Sequence, residues 1–202
     1  MMLDKTFYTR QNVVEIAQDL IGKIICTQIN GILTSARIVE TEAYSYQEKA
    51  CHAYNNRLTE RTKIMFGEGG TSYIYLCYGI HELFNIVTNT NGTAEAVLIR
   101  GVEPLQGVDL MVKRRNFDRL NSNLTSGPGK LTIALGIGRA LNGIDLLGEQ
   151  IWLEKDDFKV EHDHINRSPR IGVGYAEEDA HLPWRFYLDN NPYVSKGKTN
   201  YS

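Results

Sequence analysis

Two glutamates stand in the run Arg37-Ile38-Val39-Glu40-Thr41-Glu42-Ala43-Tyr44, which otherwise reads as a half-buried strand. Strand side chains alternate between faces, so Ile38, Glu40, Glu42 and Tyr44 look the same way. A carboxylate beside aromatic surface costs free energy unless it is paired or used, which makes one of the two a candidate general base. Periodicity does not choose between them. Arg100 follows the core-like run Val97-Leu98-Ile99. An arginine so placed usually pairs with a carboxylate for structural reasons, and with Glu42 it could also hold a water.

A second group of side chains is aromatic. Tyr73, Tyr75 and Cys77 share one face of a strand over 73–77, either as ordinary sheet surface or as a stacking wall for a flat ligand such as a base. Tyr78, followed by Gly79, falls at what reads as a hairpin tip, where a large exposed aromatic is a liability unless it enters something such as a base stack. His52 has no metal-ligand partner one helical turn away and reads as a hydrogen-bonding loop residue. His162-Asp163-His164 sits in a charged run and reads as a solvated loop. HExxH, a full Walker loop and GxSxG are all missing, so neither metal nor nucleotide cofactor is expected. Ser126-Gly127-Pro128-Gly129-Lys130 reads as a helix start, with phosphate contact the lesser alternative.

The elements that must position these residues follow from spacing and punctuation. Thr9 as cap, with Val13, Ile16, Ala17, Leu20 and Ile21, predicts a helix ending at Gly22. Strands are predicted at 23–28, 32–44, 73–77, 83–88 and 96–102, with Asn30-Gly31 and Asn91-Gly92 as hairpin turns. A second helix opens at Pro104-Leu105 and carries Val108, Met111 and Val112. A third begins around Ser126–Pro128 and runs to Gly136. Short strands at 150–154, 170–175 and 185–188 complete the chain. The polar stretch 47–70 lacks a clear period, as functional segments often do. Hairpin-grouped strands with helices between them point to an antiparallel α+β fold in one domain, 1–202.

Composition bounds the partners. The chain has 202 residues, 42% apolar and 23% charged, which suits one core. Cys26, Cys51 and Cys77 lie far apart and fit reduced thiols in a cytoplasmic protein. No apolar run approaches the roughly eighteen residues of a spanning helix, so no membrane partner is expected. The net charge is −2 and the pI about 6.2, unlike broadly basic nucleic-acid binders. Lys113, Arg114, Arg115, Arg119 and Lys130 nevertheless cluster between 110 and 130, so one basic face remains compatible with DNA.

The blocks RIVETEAY at 37–44, His52 with AYNNRLTERTKIMF at 53–66, GTSYIYLCYGIHELFNIV at 70–87, AVLIRGVEPL at 96–105, SGPGKL at 126–131, RIGVGYA at 170–176 and RFY at 185–187 together resemble the alkyladenine (3-methyladenine) DNA glycosylase family. Without a long N-terminal extension the chain looks like a compact bacterial form. The resemblance implies a curved, partly barrel-like antiparallel sheet flanked by helices. It implies a monofunctional hydrolase that flips alkylated or deaminated purines from duplex DNA and cleaves the N-glycosidic bond, with no lyase step and no cofactor. It aligns Glu42 with the general base, Arg100 with a water-positioning arginine and Ile171 with a backbone carbonyl at the same site. Tyr44, His52 and Tyr75 align with residues that sandwich the flipped base. Asn85 and Leu98 align with its pocket, Tyr78 with a wedge in the duplex, and Glu40 with a glutamate that is not catalytic. A monomer on double-stranded DNA is the implied assembly. A non-catalytic nucleic-acid binding module and a hydrolase of free nucleosides are the alternative readings.

Overall fold

The computed structural model describes residues 1–197. Its organising element is β2 (Ile32–Ser45), the longest strand, which Asn30 and Gly31, both with positive φ, join as a hairpin to β1 (Ile24–Ile29). Along one edge β2 pairs with β5 (Glu95–Gln106). Its other edge is shared: β1 takes Ile32–Arg37, and β8 (Arg185–Leu188) takes Glu40–Glu42. With β3 (Ser72–Cys77), β4 (His81–Val87), β6 (Ile151–Glu154) and β7 (Ile165–Ser168) this makes an eight-stranded sheet in the order β3-β4-β5-β2-β1-β6, with β7 and β8 branching off β2. Each strand pair is antiparallel, and the sheet is open. The expected α+β class is the one that forms.

The period of two along the strands divides the sheet into two chemically different faces. Ile74, Phe84, Ile86, Val97, Ile99 and Ala43 enter the main hydrophobic core. That core is closed by α2 (Val13–Asp19), α3 (Val108–Arg114) and α4 (Pro128–Leu135), which contribute Val13, Ile16, Ala17, Met111, Leu131, Ala134 and Leu135. The intervening residues Tyr73, Tyr75, Asn85, Ala96 and Leu98 turn to the opposite face, beside Tyr44.

Several predicted boundaries are displaced, each for a local reason. Thr9 does not cap α2; it ends a short turn, α1 (Lys5–Tyr8), that spacing did not reveal. Asn12 caps α2 instead, its Oδ1 accepting from both Val14 and Glu15 N–H. The second predicted helix starts at Val108 rather than Pro104, because β5 continues through Gln106. Pro104 is accommodated in that strand beside a register shift opposite Ser35/Ala36. Ser126 bridges Gly101 and leaves the cap position of α4 to Gly127, with Pro128 opening the helix as predicted. Residues 170–175 are not a strand: Arg170 is drawn into a buried ion pair and Gly172 adopts φ +77, which breaks extension. The strand of that region is β7, a few residues upstream. The 47–70 stretch folds into two short 3-10 turns, Tyr54–Asn56 and Lys63–Phe66, packed beside β3.

Candidate active site

Backbone irregularity brings the two glutamates and Arg100 together. Between Ile38↔Val102 and Glu40↔Gly101 the extra residue is Val39 on β2; between Glu40↔Gly101 and Thr41↔Ile99 it is Arg100 on β5. Two opposed bulges in succession re-aim the side chains at this point. Arg100 therefore spans both carboxylates, with Nε 3.1 Å from Glu40 Oε1 and Nη1 3.2 Å from Glu42 Oε2. Residue 101 is glycine because Glu40 and the Tyr193 carbonyl close over it; a Cβ would lie 2.6 Å from that oxygen.

The two glutamates, both fully buried, have different company. Glu40 accepts from Arg100, from Arg185 Nε at 2.7 Å, and from Ser195 through its N–H at 2.7 Å and its hydroxyl at 2.8 Å. Those partners close Glu40 off on the side of β8 and the C-terminal segment. Glu42 accepts from Arg100, from the Tyr44 hydroxyl at 2.7 Å and from the Ile171 N–H at 2.7 Å. Each of these partners is a donor, the arrangement a carboxylate requires. The contact that Ile171 makes with Glu42 is through its amide N–H. Burial opposes the charge on Arg100, but Glu42 and then Glu40 more than offset it and push its pKa above the ordinary arginine value. Burial and the Glu42 charge hold the Tyr44 hydroxyl protonated, its pKa raised well above that of free tyrosine.

Beyond Glu42 lies a cavity of about 560 Å³, within the range of small-ligand pockets. Tyr44, His52, Tyr75, Tyr78, Asn85, Leu98, Arg100 and Ile171 all line it. Glu42 lies directly behind, bonded to three of those residues. Leu98 sits between Glu42 and Asn85 in the sheet register, which fixes the floor. Asn85 is buried and donates to the Tyr73 carbonyl at 3.0 Å. Tyr44 is held from behind by Arg170, whose guanidinium lies 4.8 Å from the ring centre and makes a two-point pair with Glu48 at 2.8 Å on each arm. On the other wall His52 meets Tyr75 edge-on, with centroids 4.6 Å apart and planes at 80°.

His52 is more constrained than its loop position suggests. Its Nε2 is 3.0 Å from Arg61 Nη2 and its Nδ1 is 2.9 Å from the Tyr73 hydroxyl. A guanidinium can only donate, so Nε2 is the acceptor and the ring proton sits on Nδ1. Burial, helped by Arg61, lowers the His52 pKa from 6.5 to about 4, so the ring is neutral near pH 7.

The profile of the methylpurine-DNA glycosylase family matches residues 6–192. A relative from Alkaliphilus oremlandii is 46% identical, covering 97% of this chain and 100% of its own length. One from Desulfitobacterium hafniense is 42% identical over 96% and 98% of the two chains, and one from Chlamydia abortus 43% over 93% and 98%. All three carry the name "Putative 3-methyladenine DNA glycosylase". The chain belongs to the methylpurine-DNA glycosylase family. It is a DNA N-glycosylase, a hydrolase with DNA as its substrate.

In this glycosylase Tyr78 stands clear of the fold. The β3–β4 turn closes through Ile80 N–H to the Cys77 carbonyl at 3.2 Å, and Tyr78 itself takes φ +50. Tyr78 is 89% exposed and lines the cavity, and Ile80 beside it on the hairpin tip is 72% exposed. A bulky residue in the left-handed region is an outlier that persists only where something else requires it. The basic 110–130 cluster is partly consumed by structure: Arg114 donates to the Ala134 carbonyl and Arg115 to that of Leu124. Lys130 reaches the cavity. Among the described residues no His/Cys/Asp/Glu group could hold a metal ion, and His162 instead contacts Gln18. No described helix is long and apolar enough to cross a membrane. The three cysteines are free thiols, and burial pushes Cys26 and Cys51 up to about 12.

Sequence reasoning missed Arg61, Arg170, Arg185, Glu48 and Ser195 as members of this constellation. Arg170, Arg185, Glu48 and Ser195 reach their partners across the fold, and Arg61 meets His52 within an irregular stretch, so no regular spacing encodes these contacts.

Proposed function

We propose that the protein extrudes alkylated or deaminated purine nucleotides (the 3-methyladenine, 7-methylguanine, hypoxanthine and ethenoadenine class) from duplex DNA and hydrolyses their N-glycosidic bond. The observation that carries this is Glu42, a fully buried glutamate accepting three donors at the back of an aromatic cavity. An atom inside a base stack cannot be attacked, so the nucleotide has to leave the stack, at a cost of a few kcal/mol. Tyr78 fills the vacated gap and offsets part of that cost. The base enters between Tyr44 on one side and His52 and Tyr75 on the other, over Leu98, with the bulk of Asn85 opposing the exocyclic amine of normal guanine.

Glu42 is the general base. Its Oε1 accepts one hydrogen bond, from Ile171, and retains a lone pair for a water. As that water attacks C1′, its proton passes to Glu42 and the bonding pair of the glycosidic bond leaves with the purine. An N-alkylated cationic purine departs neutral; a neutral purine takes up a proton from solvent water on departure. The carboxylate also favours the oxocarbenium-like charge that develops on the sugar. Arg100, tied to Glu42 and Glu40, orients the base.

Duplexes carrying single lesions test the reading. The intact protein is expected to release the modified purine and leave an abasic site. Glu42→Gln should bind lesion duplex and lose nearly all excision; a Glu42→Gln protein as active as wild type would remove the assignment. Turnover with excess duplex separates an enzyme from a binding module, and lack of activity on free nucleosides separates it from a nucleoside hydrolase.

A further inference from the structure

Arg61 carries a positive charge that the sheet network does not neutralise. Arg100 is matched by Glu42 and Glu40, Arg185 by Glu40, and Arg170 by Glu48. Arg61 has no carboxylate partner among the described residues. It is anchored on the neutral His52 ring and lies 4.7 Å from the centre of the Tyr75 ring. It lines the base cavity together with Lys130, and no described Asp or Glu side chain lines that cavity. A second concavity of about 370 Å³ adjoins it through His52 and Arg61 and adds Lys49 and Arg57. Lys49 is paired with Glu177, whereas Arg57 makes no ion pair among the described residues.

An electron-rich tyrosine cage would ordinarily favour cationic bases over neutral ones. Here the ring of Tyr75 already carries a guanidinium, and that of Tyr44 carries Arg170. A cationic base would meet these charges as like charges, and only the Arg170 charge is cancelled by a carboxylate. A neutral base meets no such repulsion.

We propose that Arg61 is a specificity-determining residue, whose fixed charge biases the site toward neutral, deaminated purines and against cationic, N-alkylated ones. The inference rests on the glycosylase reading and names the lesion class within it. Because His52 takes its orientation from Arg61, a change at Arg61 also disturbs the wall. Arg61→Lys and Arg61→Gln both remove the guanidinium contact, but only Arg61→Gln removes the charge, so the difference between their lesion ratios reports the charge.

The test compares single-turnover excision of hypoxanthine and 7-methylguanine from otherwise identical duplexes by wild type, Arg61→Gln and Arg61→Lys. Arg61→Gln should raise the 7-methylguanine to hypoxanthine ratio by roughly two- to fivefold, the scale of one cation–π contact at an exposed residue such as Arg61. Arg61→Lys, which keeps the charge, should stay within about twofold of the wild-type ratio on the same scale. An unchanged ratio in Arg61→Gln, or an equal shift in both variants, overturns the proposal. Equilibrium binding of the same duplexes by Glu42→Gln protein, with and without Arg61→Gln, gives a readout independent of cleavage. If wild type excises neither lesion, the proposed lesion class falls, and the binding ratio alone then decides for or against the charge effect.

Discussion

The two faces of β2 solve burial in opposite ways. On one face Thr41 and Ala43 meet α2 and the apolar rows of β4 and β5, and the one polar group needs one partner: the Thr41 hydroxyl donates to the Ala17 carbonyl at 2.7 Å. On the other face Glu40, Glu42 and Tyr44 are held by arginines, a serine and a backbone N–H. Shape complementarity suffices on the first face, where exchange of one hydrocarbon for another of similar volume costs little. On the second, loss of a single partner strands a charge. The side chains able to do chemistry lie where burial is held by donors and acceptors, and not in the apolar core beneath.

Within the polar face, the roles proposed for Glu42 and Glu40 separate function from folding. Glu42→Gln is expected to reduce excision by about 10²–10⁴-fold, the usual worth of a general base, with lesion binding retained in a gel-shift or anisotropy assay. Glu40→Gln removes the shared partner of Arg100 and Arg185, and urea unfolding should show a loss of about 3 kcal/mol or more, as for a broken buried pair. Its excision rate per folded molecule should fall less than that of Glu42→Gln; equal activity losses in the two variants would erase the distinction.

The cavity wall should register pH. The His52 pKa is 6.5 unfolded and about 4 folded, so the unfolded chain binds the proton more readily. Stability is therefore full above about 6.5 and lost as the pH falls toward 4, by about 2–3 kcal/mol after allowance for partial exposure. His52→Asn should flatten that part of the unfolding-versus-pH curve, and an unaltered curve would rule out a buried neutral ring.

The smallest effect belongs to the hairpin tip. Tyr78→Gly relieves a left-handed residue and should raise stability by a few tenths to about 1 kcal/mol, while excision from duplex falls. A variant both less stable and fully active would mean that Tyr78 packs against the fold and takes no part on DNA.

Much of the sheet was legible because its signals are local. Asn30-Gly31 announced its hairpin, alternation located β2, β3, β4 and most of β5, and the resemblance joined distant blocks into one site. The misreadings share a cause. Pro104 suggested a helix start, but pairing with β2 carries β5 past it to Gln106. Arg170 to Tyr175 alternates like a strand, yet the Glu48 ion pair and the turn at Gly172 decide its path.

By itself the amino-acid sequence determined where the hairpins turn and which residues alternate along each strand away from the bulges, since these depend on contacts between near neighbours. Its ordered blocks carried the family resemblance. The Val39 bulge moved Ile38, expected beside Glu40 and Glu42, into the apolar core. Only the tertiary structure distinguished the two glutamates by their surroundings. Two bulges place Arg100 between them, Arg185 and Ser195 close around Glu40, and Ile171 and Tyr44 turn Glu42 toward the cavity. The reason is physical: a buried carboxylate's role is set by the donors that reach it, and those donors come from positions up to 155 residues away in the chain.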